Sequence, residues 1–138
     1  MLLSAPERSG AGVVTTGNYY EDSGATSCSS KDICRLSLTL TPASKFVTVN
    51  RLSCLFVTTA PLRNAFLAVT PSIGGAISRD YYLQPELTSY TGGQYFYTVD
   101  QEIGFLVGPL RHPTIFSYTG GTSTGPMHCS FIGTIAKQ

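Results

Sequence analysis

Residues 46–59, FVTVNRLSCLFVTT, do most to limit what this chain can fold into. The stretch is rich in β-branched and aromatic residues and is long for a single strand. Its apolar pattern changes parity partway along: Val47 and Val49 share one parity, while Leu52, Cys54 and Phe56 share the other. In a strand, a one-residue slip sends side chains to the wrong face unless an extra residue absorbs it. The sequence therefore predicts a β-bulge near Asn50-Arg51, in a central strand whose second half is apolar on both faces. Two packed sheets would explain that double burial.

The rest of the chain reads as strands and turns. Leu36, Leu38 and Leu40 alternate with Ser37 and Thr39, the pattern of a half-buried strand, and Thr41-Pro42-Ala43-Ser44 turns out of it. Further strands are expected over 65–69, 77–83, 95–99, 103–107, 114–118 and 127–135, with a turn at Asp100-Gln101. Residues 21–31 read as a polar loop and 84–93 as a connection. No stretch keeps a helical period, and Pro or Gly recurs too often for a long helix. About eight short strands with regular turn signals describe an all-β fold. The expectation is a single-domain antiparallel β-sandwich, jelly-roll-like, over residues 21–138. Residues 1–20 are expected to form a flexible N-terminal arm with an edge strand near its end, suited to exchange with a second copy.

Charged residues make up 12% of the chain, about half of the ~25% usual in soluble domains. A net charge of +1 provides no field to hold nucleic acid, and Pro, Gly, Ser and Thr break every run long enough to span a membrane. Met1-Leu2-Leu3 is too short for the apolar core of a signal peptide, so either a leader has been removed or none existed. Four cysteines in a charge-poor β-chain favour an oxidising compartment. Cys28 and Cys34 bracket a short polar loop and are expected to bridge each other. Cys54 and Cys129, each within a strand, form the preferred second bridge; free core thiols are the alternative.

Catalysis has no visible apparatus. Asp100-Glu102 and Glu21-Asp22 read as solvated turn carboxylates, without the spacing of an acid–base or metal pair. His112 and His128 stand outside any HxH, HExxH or CxxC motif. No catalytic residue, metal site or cofactor is expected, and the chain is read as a non-enzyme. The tyrosines are more informative, with eight Tyr and no Trp. Ser89-Tyr90-Thr91-Gly92-Gly93 recurs as Ser117-Tyr118-Thr119-Gly120-Gly121. Two turns with one backbone solution account for the echo; two loops presenting Tyr90 and Tyr118 to a ligand are the functional alternative. Tyr82 and Tyr95 sit in aromatic runs that place rings on both faces of a strand. Tyr90, Tyr118, Tyr82 and Tyr95 are therefore the candidate ligand or partner contacts.

Two resemblances can be tied to residues. Gly93-Gln94-Tyr95-Phe96-Tyr97, with Gln101 and Phe105, resembles the G-x-Y-F strand of the trimeric jelly rolls of the tumour-necrosis-factor and complement-type group. That group carries much more chain beyond this strand than the 33 residues after Phe105 here, and the likeness is set aside. Residues 36–135, with LTLTPASKFVTVNRLSC and CSFIGTI near their ends, resemble small secreted bacterial β-sandwich proteins of unknown role. The expected function is a structural or adhesive subunit, extracellular or on the cell surface, acting as a homo-oligomer or through protein or carbohydrate contacts. A virion decoration or capsid protein and a carbohydrate-binding module with Tyr-bearing loops are the alternatives.

Overall fold

The computed structural model describes residues 12–137. They form eight antiparallel strands: β1 (Val14–Thr16), β2 (Tyr19–Ser37), β3 (Lys45–Thr58), β4 (Asn64–Thr70), β5 (Arg79–Tyr82), β6 (Glu86–Thr91), β7 (Gln94–Val107) and β8 (His112–Lys137). The protein is all-β, with a sandwich-like arrangement made from one continuous sheet. Two strands, β2 and β8, explain how. They pair from Tyr19↔Thr134 to Ser37↔Thr114, and their register breaks between Cys28 and Ile33. On one side of the break β8 pairs with β3, giving the order β1-β2-β8-β3-β7-β6. On the other side β8 pairs with β4, giving β2-β8-β4-β5. Side chains from both halves meet in one core, where Leu36 joins Val47, Val49, Leu52, Phe56, Val99 and Phe131.

The break is a corner, and both strands are chemically suited to it. On β2, Ser30 takes a left-handed φ of 52° and the Cys28–Cys34 disulfide closes the detour, with Cα atoms 5.9 Å apart. On β8, four residues separate the partners of Lys31 and Ile33, and Gly120 takes a φ of 77°. A bridge across so short a loop stabilises by about 2 kcal/mol. Replacing Cys28 and Cys34 with serine should lower the unfolding free energy by about that amount. Thiol counting on denatured, unreduced wild-type protein should find no free thiol; four would contradict the pairing.

The organising strand behaves as its parity shift predicts. In β3, Val49 pairs with Gly133 and Arg51 with Ile132, so Asn50 is the extra residue of a bulge. Val47, Val49, Leu52, Cys54 and Phe56 are all buried as a result. Cys54 lies directly opposite Cys129 and is bonded to it, which makes the preferred connectivity the observed one.

Several expected boundaries are corrected. Residues 21–31 are not a loop: they continue β2, pairing with β8 from Ile132 back to Ser123. Their small polar side chains hid a strand whose inward positions are Tyr20, Asp22 and Gly24. Residues 84–93 contain an edge strand, β6, exposed along its whole length. No turn occurs at Asp100-Gln101, and β7 runs through, because Asp100 and Glu102 face outward beside Arg51. The two strands expected at 114–118 and 127–135 are one strand, β8, bent at its glycines. The N-terminal arm expected over residues 1–20 lies largely outside the described residues. Its end forms a hairpin, β1 with the start of β2, on the sheet edge.

Asp22 is a further correction, since it is a buried carboxylate and not a solvated turn residue. Its Oδ1 accepts the Ser23 amide and its Oδ2 the Thr39 amide, both at 2.8 Å, tying the beginning of β2 to the segment beyond its end. Burial, with the nearby Asp22 charge, pushes the Tyr20 phenol up to about 12.

Candidate functional site

The outer side of β2-β8-β4-β5 carries a row of side chains set by register alone. Arg35 pairs with Phe116, Phe116 with Phe66, and Phe66 with Tyr82, one residue from each of the four strands. Strand alternation requires this. The neighbours Leu36, Ile115 and Leu67 point into the core and are fully buried, so the residues beside them point out. Phe66 stacks on Phe116 with ring centroids 4.8 Å apart, and Tyr82 lies tilted against Phe66 at 5.5 Å. The Arg35 guanidinium sits 4.6 Å above the Phe116 ring, and its Nη1 donates weakly to the Gly75 carbonyl at 3.4 Å. A cation over an aromatic face is attracted by the ring quadrupole, which holds the arginine in place.

The adjacent row is Ile33, Tyr118 and Asn64. Together the rows line an open hollow of about 570 Å³, with Ile77 from the β4–β5 loop at its rim. That size matches small-ligand sites, and the lining is mainly aromatic and aliphatic. Tyr82 is 61% exposed and Ile33 53%, so large apolar surface faces water here. Among the described residues Arg35 is the one charged residue lining the hollow.

The four expected contact tyrosines divide between two places. Tyr82 and Tyr118 both belong to the hollow. Tyr90 and Tyr95 face each other across the β6–β7 hairpin with centroids 4.4 Å apart. The Ser-Tyr-Thr-Gly-Gly echo therefore has two backbone solutions, not one. In the first copy Gly92 and Gly93, with φ of 61° and 79°, form a two-residue hairpin turn. In the second, only Gly120 takes positive φ, inside β8 at the corner. Both copies lie at the same end of the fold, joined by residues 59–63: the Leu62 amide donates to Tyr97 Oη at 3.0 Å and the Arg63 amide to the Tyr118 carbonyl at 2.7 Å. The rings of Tyr90 and Tyr118 stay on different halves of the sheet.

The other outer face carries a charged cluster beside scattered exposed apolar side chains, Leu55 and Ile132 among them. Arg51 holds Asp100 through Nε and Nη2, at 2.9 and 3.1 Å, and reaches Glu102 at 3.6 Å. The Arg51 hydrogen bonds hold the Asp100 carboxyl below its ordinary value, although the pair is exposed and worth little in water. Of the histidines, His112 has Nδ1 2.7 Å from the Leu38 carbonyl, a structural contact near the sheet end. His128 is exposed on β8 opposite Leu55. Among the described residues no group of three or more His, Cys, Asp or Glu could hold a metal ion, and no helix is long and apolar enough to cross a membrane.

Sequence reasoning missed Phe66, Phe116, Arg35, Asn64 and Ile33. Phenylalanines in apolar runs read as core, and 65–69 and 114–118 are apolar on both parities. A signal did exist: Leu36 and Leu38 fix the inward parity of β2, which puts Ile33 and Arg35 outside. No protein-family model matches the chain, and no curated protein matches it either.

Proposed function

We propose that the protein is a non-enzymatic structural or adhesive subunit that works outside the cytoplasm by surface contact, and that the aromatic face of β2-β8-β4-β5 makes the contact. One observation carries this reading: the row Arg35, Phe116, Phe66, Tyr82 is built from ring stacking and a cation–π contact, with Phe116 buried beneath its neighbours, Arg35 and Phe66 half-buried and Tyr82 open to solvent. Tyrosine and arginine are enriched at the energetic centres of contact surfaces, tyrosine because it buries much area with few rotamers to freeze. Rings already stacked lose little further freedom on binding. Two disulfides support the extracytoplasmic part of the reading, since reducing compartments do not keep them. A central set of four strands in each half, β2-β8-β3-β7 and β2-β8-β4-β5, with β1 and β6 added at the edges of the first, supports a jelly-roll description of the fold.

The test is retention of purified protein on surfaces coated with polysaccharide or with protein. Phe66→Ser with Tyr82→Ser should reduce retention about tenfold or more, the loss of a contact centre. Unchanged retention on every surface, with the fold intact by circular dichroism, would overturn the assignment of this face.

Self-association is the second reading, and the edge strand β6 favours it. Among the described residues its outer backbone edge is unpaired, and Leu87 and Tyr90 are exposed on it. Low charge leaves little repulsion between copies. A virion subunit would be one form of such an assembly.

A further inference from the structure

Resting on the contact reading above, we propose that the hollow takes a carboxylate-bearing pyranose, a uronic-acid type of sugar, as its ligand. The argument is from complementarity. A pyranose has a flat face of C–H groups that packs on an aromatic ring, and Tyr82 and Phe66 offer adjacent rings at the open side. Its hydroxyls need donors and acceptors at the edge of that platform. Asn64, Tyr82 and Tyr118 bring an amide and two phenols there, and among the described residues neither that amide nor those hydroxyls has a hydrogen-bond partner.

The charge decides between a neutral and an acidic sugar. Among the described residues Arg35 is the single charged side chain of the hollow, and no carboxylate lines it. One of its donors reaches only Gly75, at 3.4 Å, so most of its five N–H groups remain for a ligand. Guanidinium geometry favours a carboxylate bound through two parallel hydrogen bonds. A guanidinium already stacked on Phe116 meets such a group with little loss of side-chain freedom. A neutral sugar would leave that cation unmatched beside apolar surface.

The experiment is an amide-detected NMR titration of the full chain with D-glucuronate, with D-glucose and acetate as controls. Glucuronate should shift amides within residues 33–35, 64–66 and 116–118, and should bind about tenfold more tightly than glucose, the worth of one charge-assisted pair. Arg35→Met should erase that difference, Arg35→Lys should restore part of it, and Phe66→Ser should abolish both sugars. Equal binding of glucose, shifts with acetate alone, or shifts away from the hollow would each overturn the proposal. If glucuronate produces no shift while Phe66→Ser with Tyr82→Ser still lowers retention on a protein-coated surface, the ligand class is wrong and the contact face stands. If retention is also unaffected, both fall.

Discussion

Replacing Cys54 and Cys129 together with alanine should lower the unfolding free energy by about 4 kcal/mol. The bridge closes a separation of 75 residues, against six for Cys28–Cys34, and the entropy removed from the unfolded chain grows with the logarithm of that length. It also joins directly opposed residues of β3 and β8, with Cα atoms 4.1 Å apart, at the centre of the larger half of the sheet. Both cysteines are nearly inaccessible to solvent, so reductant should act on the folded protein only through opening. Urea unfolding with and without reductant is the check. Wild type and the double variant, both in reductant, should approach one another, since each then lacks both bridges, and coincident midpoints for wild type and variant under oxidising conditions would contradict the account.

Gly133→Ala should cost about 3 kcal/mol, at the upper end for overpacking, although it adds one methyl group. Gly133 pairs with Val49 beside the Asn50 bulge, and a Cβ there would overlap the carbonyl oxygen of Thr48. The obstacle is backbone, which cannot swing aside as a flexible side chain can, so the bulge or the β3–β8 ladder would have to move. Gly104→Ala on β7 is the control, because a Cβ there meets nothing. It should change stability by no more than about 0.5 kcal/mol. Chemical denaturation of both variants gives the comparison, and equal effects would mean that the close approach at the bulge does not constrain the fold.

The parts of the fold that were legible in the sequence are those where one face is apolar and the other is not. The parity change across Asn50 exposed the bulge because burial on both sides of it left no other way to keep Val49 and Leu52 inside. Residues 21–31 were illegible for the opposite reason. Their inward positions include Asp22 and Gly24, one satisfied by backbone amides and the other without a side chain, and neither carries a hydrophobic signature. Continuity was also hidden. Gly120 and Gly121 read as a turn, whereas β8 keeps pairing with β2 on either side of them and bends there at the corner. The candidate site was half legible. Tyr82 and Tyr118 stood out as tyrosines, but their partners Phe66 and Phe116 look like core in any apolar run, and only cross-strand register places them beside Arg35 on the outside.

The claim that one outer face makes the contact is tested most directly by altering each outer face separately. Phe66→Ser with Tyr82→Ser changes the aromatic row; Leu55→Ser with Ile132→Ser removes two exposed apolar side chains from the opposite face, beside Arg51. Retention of both variants and wild type is measured on the same polysaccharide- and protein-coated surfaces. The account predicts a loss of about tenfold or more for the first variant and little change for the second. Loss confined to the second variant, or equal loss in both, would contradict it.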